Sequence, residues 1–143
     1  MDTPKNLIVE NVPMLFTGRV EFAALTGKTL VKVTRCRYGN EHNDEDAVLF
    51  ETTENEQYLL THIRDCCESV ELDEIVGEFS DLLGSPLVQA EEVASISTEN
   101  SCRDSKTWTF YRLTTKRGQV VLRWGGTSNG YYSESVDLFK LNR

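Results

Sequence analysis

Cations are almost missing from the middle of this sequence, where Arg64 stands alone among seventeen carboxylates between residues 41 and 100. Over all 143 residues the net charge is -8. That balance opposes sequence-independent nucleic-acid binding, which depends on cations displacing the counterions of phosphates. Histidine is scarce as well. His42 and His62 are the whole supply, so a site built from several imidazoles is excluded. No apolar run approaches the roughly 20 residues a helix needs to span a bilayer. The N-terminal stretch lacks the basic start, apolar middle and small-residue cleavage site of a secretory signal. The expectation is a cytoplasmic protein with no membrane partner. Phosphate-binding loops, the dinucleotide fingerprint, His-Glu-x-x-His and the calcium-hand loop are all absent. Neither an enzyme nor a cofactor is therefore expected.

What is present suits one ordinary globular domain, with 39% apolar and 27% charged residues around a single core. Residues 1–25 read as an N-terminal extension packing on a β-rich domain over 26–143. Short helices are predicted at Val20 to Leu25, closed by Gly27, and at Phe79 to Leu83, closed by Gly84 with Pro86 beyond. Strand patterns cover Thr29 to Tyr38, Ala47 to Thr53, Gln57 to Ile63 and Val70 to Val76. Residues 40–46 and 98–106 read as polar loops, and Leu87 to Ile96 is ambiguous between helix and strand. The spacing of Glu54, Asn55 and Glu56 predicts a hairpin. The fold class expected is α+β: a single domain, mainly antiparallel β, ending in a β-meander and carrying short helices.

The meander begins with Thr107 to Thr115 and Gln119 to Gly125, joined by Lys116, Arg117 and Gly118. A three-residue loop ending in a left-handed glycine would set Thr115 opposite Gln119. Phe110 would then face Trp124, and Tyr111 would face Arg123 in a cation–π pair. This register predicts one core face carrying Trp108, Phe110, Val120, Leu122 and Trp124. Ser128, Asn129 and Gly130 would turn the chain into a third strand of the same sheet, Tyr131 to Leu138.

Candidate chemistry gathers at His62, Asp65, Cys66, Cys67 and Glu68, which offer imidazole, carboxylate and thiolate to a metal within seven residues. The spacing opposes it. Zinc sites pair their ligands in two groups, and no second group exists. Cys36, Cys66, Cys67 and Cys102 are expected to remain thiols in a reducing compartment. Ser133, Ser135 and Asp137 make no nucleophile motif around His62, and a polar sheet face explains them better. Glu91 and Glu92 are consecutive and diverge on any regular element.

Three stretches, taken in order, resemble a known family. They are Asp65-Cys66-Cys67-Glu68-Ser69-Val70, then Leu82-Leu83-Gly84-Ser85-Pro86-Leu87 with Glu91 and Glu92, then Trp108-Thr109-Phe110-Tyr111 with Ser128 to Asp137. Over about residues 25 to 138 the chain is similar to small, mostly bacteriophage-encoded proteins known only as a domain of unknown function. Similar members often carry His, Asp or Gln shortly before the Asp-Cys-Cys-Glu core, where this chain has Thr61-His62-Ile63-Arg64. The resemblance implies an accessory protein working inside an infected bacterium, and it brings no catalytic residue. Together with the acidic block, it points to a non-catalytic protein that binds and modulates a host macromolecule. Asp44, Glu45, Asp46, Glu71, Asp73 and Glu74 are the expected contacts. The alternatives are a small-molecule or metal site around His62 to Glu68, or a minor virion component.

Overall fold

Alternating side chains and frequent turn residues organise the chain into strands, nine of them among the residues that the computed structural model describes: 16–39, 44–63, 68–97, 105–128 and 135–141. β1 (Phe16–Val20) leads into a 3-10 turn, Phe22–Leu25. β2 (Leu30–Gly39), β3 (Asp44–Thr52) and β4 (Gln57–Thr61) follow as antiparallel neighbours. After β5 (Ser69–Val76) comes a second 3-10 turn, Phe79–Leu82, and then β6 (Gln89–Ser97), β7 (Ser105–Thr115), β8 (Gly118–Ser128) and β9 (Asp137–Leu141). The strands form a five-stranded sheet, β1-β9-β4-β3-β2, and a four-stranded sheet, β5-β8-β7-β6.

The expected mainly antiparallel β architecture is present, as two sheets packed into a sandwich, while the helical part of the α+β class reduces to two short 3-10 turns. No α-helix occurs among the described residues, and the two helix candidates are four-residue 3-10 turns. Stretches so short cannot recover the cost of nucleating an α-helix. The ambiguous Leu87 to Ile96 becomes β6 because it pairs with β7 from Gln89 to Ser97. Part of the supposed loop 40–46 is strand too: Asp44, Glu45 and Asp46 open β3 opposite Gly39, Tyr38 and Arg37.

The β7–β8 hairpin is shifted by one residue from the sequence expectation. Thr115 pairs with Gly118, so the turn holds only Lys116 and Arg117, and Thr109 faces Trp124. A one-residue slip exchanges the faces of a strand. Tyr111 and Leu113 therefore join Val120, Leu122 and Trp124 in the core, while Trp108 and Phe110 share the opposite face with Arg123. Gly118 is needed for a close approach: a Cβ there would lie 2.8 Å from Asp81 Oδ2. Thr115 Oγ1 ties the turn down, donating to the Asp81 carbonyl at 2.6 Å and accepting from the Arg117 N–H at 3.1 Å.

Among the described residues no third strand continues the β7–β8 hairpin, since β8 has β5 as its other neighbour; residues 131–134 of the expected strand lie outside the described ones. β9 crosses to the other sheet and lies between β1 and β4, with Leu138 opposite both Val20 and Leu60. Each fully buried large apolar side chain there contributes about 1.5–3 kcal/mol, and Leu138 gains this in the inter-sheet core. That core joins Val48, Phe50, Tyr58 and Leu60 of one sheet to Leu72, Tyr111, Leu122 and Trp124 of the other. Phe22 completes it from the first 3-10 turn, tilted against Tyr111 with ring centroids 4.6 Å apart. A second cluster of Cys36, Ala47, Leu59 and Leu141 lies on the other face of the five-stranded sheet.

Candidate functional site

Of the sequence-predicted metal ligands, the structure joins two. His62 and Glu68 are both buried, and Nε2 lies 2.6 Å from Glu68 Oε2. Nδ1 lies 2.7 Å from the Ser135 carbonyl oxygen, which can only accept, so Nδ1 carries a hydrogen. A proton must also lie between Nε2 and Oε2, on the imidazole or on the carboxyl, and either placement leaves the pair neutral overall. Both ring nitrogens are thereby engaged by protein groups. Among the described residues no group of three His, Cys, Asp or Glu side chains is placed to hold a metal. Asp65, Cys66, Cys67, Cys102, Ser133 and His42 lie outside the described residues. Ser135 reaches His62 through its carbonyl, and Asp137 meets Arg19 at 3.5 Å, so these residues do not assemble a serine–histidine–aspartate geometry. Burial pushes the Cys36 thiol up to about 12, which suits an inert core thiol.

The six expected docking carboxylates separate by role. Asp46 works within the fold. It faces β5, accepts from Arg37 Nη1, and receives the Leu72 N–H on Oδ2 at 2.8 Å. Arg35 Nη2 donates to the Leu72 carbonyl at 3.2 Å. Asp44 and Glu45 sit at the start of β3, opposite Gly39 and Tyr38. Glu71, Asp73 and Glu74 are exposed on β5, an edge strand, and exposed Glu78 follows them. A register shift between Leu72 and Glu74 helps bring both Asp73 and Glu74 to Arg123, at 3.1 Å from Nε and 3.4 Å from Nη2. Arg123 also stacks over Trp108, 4.9 Å from the ring centroid, in place of the expected contact with Tyr111. Glycine at 125 admits this arrangement, since a Cβ there would come 2.9 Å from Trp108 Cζ3.

The basic ends of the chain also reach the acidic middle elsewhere. Lys28 and Lys140 meet Glu56 at 3.0 and 3.4 Å, and Arg112 meets Glu91 at 3.2 Å. Cancellation across the sandwich is thus substantial, and β5 with its following turn is where carboxylates gather on an exposed edge.

One concavity was not foreseen from the sequence. A cleft of about 400 Å³ is lined by Arg19, Val20, Glu21, Phe22, Glu92, Tyr111, Val136, Asp137 and Leu138. Glu91 and Glu92 do diverge, Glu91 to Arg112 on the outer face and Glu92 to this cleft. Partial desolvation at the cleft raises the Glu92 carboxyl although the residue is largely exposed; the nearby Tyr111 hydroxyl opposes the shift, and the negative charges of Asp137 and Glu21 reinforce it. Burial raises the Tyr111 phenol too. The sequence signal for the cleft is weak because its residues are scattered over four segments.

Sandwich, buried neutral dyad and acidic edge together define a small all-β domain without an assembled catalytic constellation among its described residues. The chain belongs to DUF7448, a family described as a domain of unknown function, whose model matches residues 23–138. No curated protein and no solved structure matches the chain. Among the described residues no helix is long and apolar enough to cross a membrane.

Proposed function

We propose that the protein is a non-catalytic binding module that docks a basic surface of a partner protein through the carboxylates of β5. The observation that carries this reading is the run of exposed Glu71, Asp73, Glu74 and Glu78 along a sheet edge and into the turn beyond it. Asp73 and Glu74 share Arg123, so that cation offsets only part of the negative charge. Edge strands ordinarily invite another strand to pair with them. Here Arg35 and Asp46 take the Leu72 carbonyl and N–H, so the partner is recognised by side-chain charge instead of by strand addition. Electrostatic complementarity of this kind gives fast, salt-sensitive association. The chain's net charge of -8 favours a basic protein over a nucleic acid.

The finer reading is an accessory protein of a bacteriophage, acting in the cytoplasm of the infected cell on a host defence or gene-expression factor. Its support is the resemblance carried by the Asp65-Cys66-Cys67-Glu68 and Ser128-to-Asp137 stretches. The test compares native protein with Glu71→Lys/Glu78→Lys in affinity capture from bacterial extract, followed by titration of the recovered partner. The reading requires binding that weakens with salt and is lost in the reversed variant. Association that is indifferent to both would overturn it.

A further inference from the structure

We propose that β6 is a self-association edge, at which two copies of the chain pair antiparallel and join their four-stranded sheets into one. The proposal stands apart from the β5 docking surface, because β5 and β6 are the opposite edges of that sheet.

An edge strand offers a template for pairing, and folds usually carry some device that blunts it. Three of the four edges in this sandwich do. β1 is only five residues long, and its register shifts between Phe16 and Gly18. β2 shifts between Leu30 and Lys32 and carries Lys32, Arg35 and Arg37. β5 shifts between Leu72 and Glu74 and is tied at Leu72 by Arg35 and Asp46. β6 has none of these devices. Its nine residues pair with β7 without a register shift and include no proline, lysine or arginine.

The neighbouring hairpin fixes which main-chain groups of β6 are left over. Thr115 and Gly118 close a two-residue turn, which makes them a hydrogen-bonded pair. Main-chain groups alternate sides along a strand, so those of Thr114, Arg112, Phe110 and Trp108 turn towards β6. The Thr114 carbonyl does accept from that side, from the Val88 N–H at 2.8 Å. Their partners Gln89, Glu91, Val93 and Ser95 thus direct their own groups to β7. Ala90, Glu92, Ala94 and Ile96 direct theirs away from the sheet, where no further strand lies among the described residues. Before Gln89 that side is occupied, since Leu87 exchanges hydrogen bonds with Gly27 and Lys28. The edge presented to a partner therefore begins where β6 begins.

A second copy fits this edge in one register. Two antiparallel strands related by a two-fold axis overlap completely when the middle residue meets itself, and the middle of Gln89–Ser97 is Val93. Ala90 then meets the partner's Ile96 and Glu92 meets the partner's Ala94, so the outward-directed groups exchange main-chain hydrogen bonds in pairs. Glu91 meets the partner's Ser95. No carboxylate opposes another, although Glu91 and Glu92 are adjacent in the strand. Centring the pair on either glutamate instead would set like charges opposite each other. Val93, 42% exposed in the single chain, meets its own copy at a non-hydrogen-bonded position, where opposed side chains approach closest.

Sedimentation equilibrium of the full chain tests the proposal. A reversible monomer–dimer equilibrium is expected. It should tighten as salt rises, because salt screens the repulsion between two copies of net charge -8, whereas docking through β5 weakens with salt. Ala94→Pro removes an outward N–H that β7 does not use, and Val93→Lys sets two ammonium groups face to face. Each should weaken dimerisation by about tenfold or more. Ser95→Lys places a cation opposite Glu91 of each copy and should strengthen it by about tenfold. That gain keeps the test independent of whether a weakened variant folds, which circular dichroism checks. A chain that stays monomeric up to millimolar concentration, or a dimer indifferent to all three substitutions, would overturn the proposal.

Discussion

The Leu72 N–H donates to Asp46 Oδ2 at 2.8 Å, joining the edge of the four-stranded sheet to the second strand of the other. A carboxylate from the acidic middle of the sequence thereby serves as an internal clamp. Removing it in Asp46→Ala leaves the Leu72 N–H and the Arg37 guanidinium without this acceptor. The expected loss is about 2–3 kcal/mol, the size seen when a charged hydrogen-bond partner is deleted. Asp46→Asn keeps one acceptor and should lose about half as much. Urea unfolding monitored by tryptophan fluorescence measures both.

His62 and Glu68 make the second test. With Nδ1 donating to Ser135, a glutamine at 68 can present its amide N–H to Nε2, so Glu68→Gln should cost under about 1.5 kcal/mol. Glu68→Ala leaves a buried ring nitrogen unpaired and a void beside it, for a loss of about 3 kcal/mol or more. Nitrogen chemical shifts of the imidazole should show Nδ1 protonated. An Nδ1 without its hydrogen would contradict the arrangement.

Two glycines should respond unequally to alanine. At Gly77 φ is 109° and an added Cβ would fall 2.4 Å from the Gln119 carbonyl oxygen, a backbone atom with little room to move. Gly77→Ala should therefore cost about 2–4 kcal/mol through strain at a left-handed position. At Gly118 the obstacle is the Asp81 side chain, and the cost should be about 1–2 kcal/mol. Combining Gly118→Ala with Asp81→Ala should cost less than the sum of the two single changes, a non-additivity visible in a thermodynamic cycle.

Alkaline pH should destabilise the fold. Burial raises the Cys36 thiol from 9.0 to about 12, so above pH 9 the unfolded chain releases a proton that the native state retains. The unfolded state then binds fewer protons, and stability falls with rising pH until native Cys36 itself ionises. Below that range this contribution is constant. The slope approaches about 1.4 kcal/mol per pH unit from this thiol, and burial of Tyr111 adds to it in the same direction at higher pH. Cys36→Ala should flatten the dependence between pH 9 and 12, as measured by urea midpoints across the range.

Much of the strand order was legible in the sequence, and the reasons are local. Val70 and Leu72 alternate with exposed Glu71 and Asp73 as the pattern requires. Both 3-10 turns stop before the glycines that punctuate them, Gly27 and Gly84. The Thr53–Glu56 turn closes with Thr52 N–H on the Glu56 carbonyl at 3.0 Å. The β7–β8 register differs from the sequence expectation because Gly118 serves not as a left-handed loop residue but, through its small size, to admit Asp81 from a distant turn. For the same reason Trp108 and Phe110 looked like core residues. The candidate site was legible only in part: His62 and Glu68 were marked for proximity along the chain, and Glu92, Asp137 and Glu21 have no such proximity.

By itself, then, the sequence determined an acidic, strand-rich domain, because net charge, alternation and turn chemistry are properties of neighbouring residues. Only the tertiary structure decided that β9 pairs in the five-stranded sheet, that Asp46 is a clamp, and that three remote carboxylates share a cleft with Tyr111. Those outcomes depend on which sheet face buries the most apolar surface and on which buried polar groups then find partners. Neither quantity exists until strands distant in the chain are packed together.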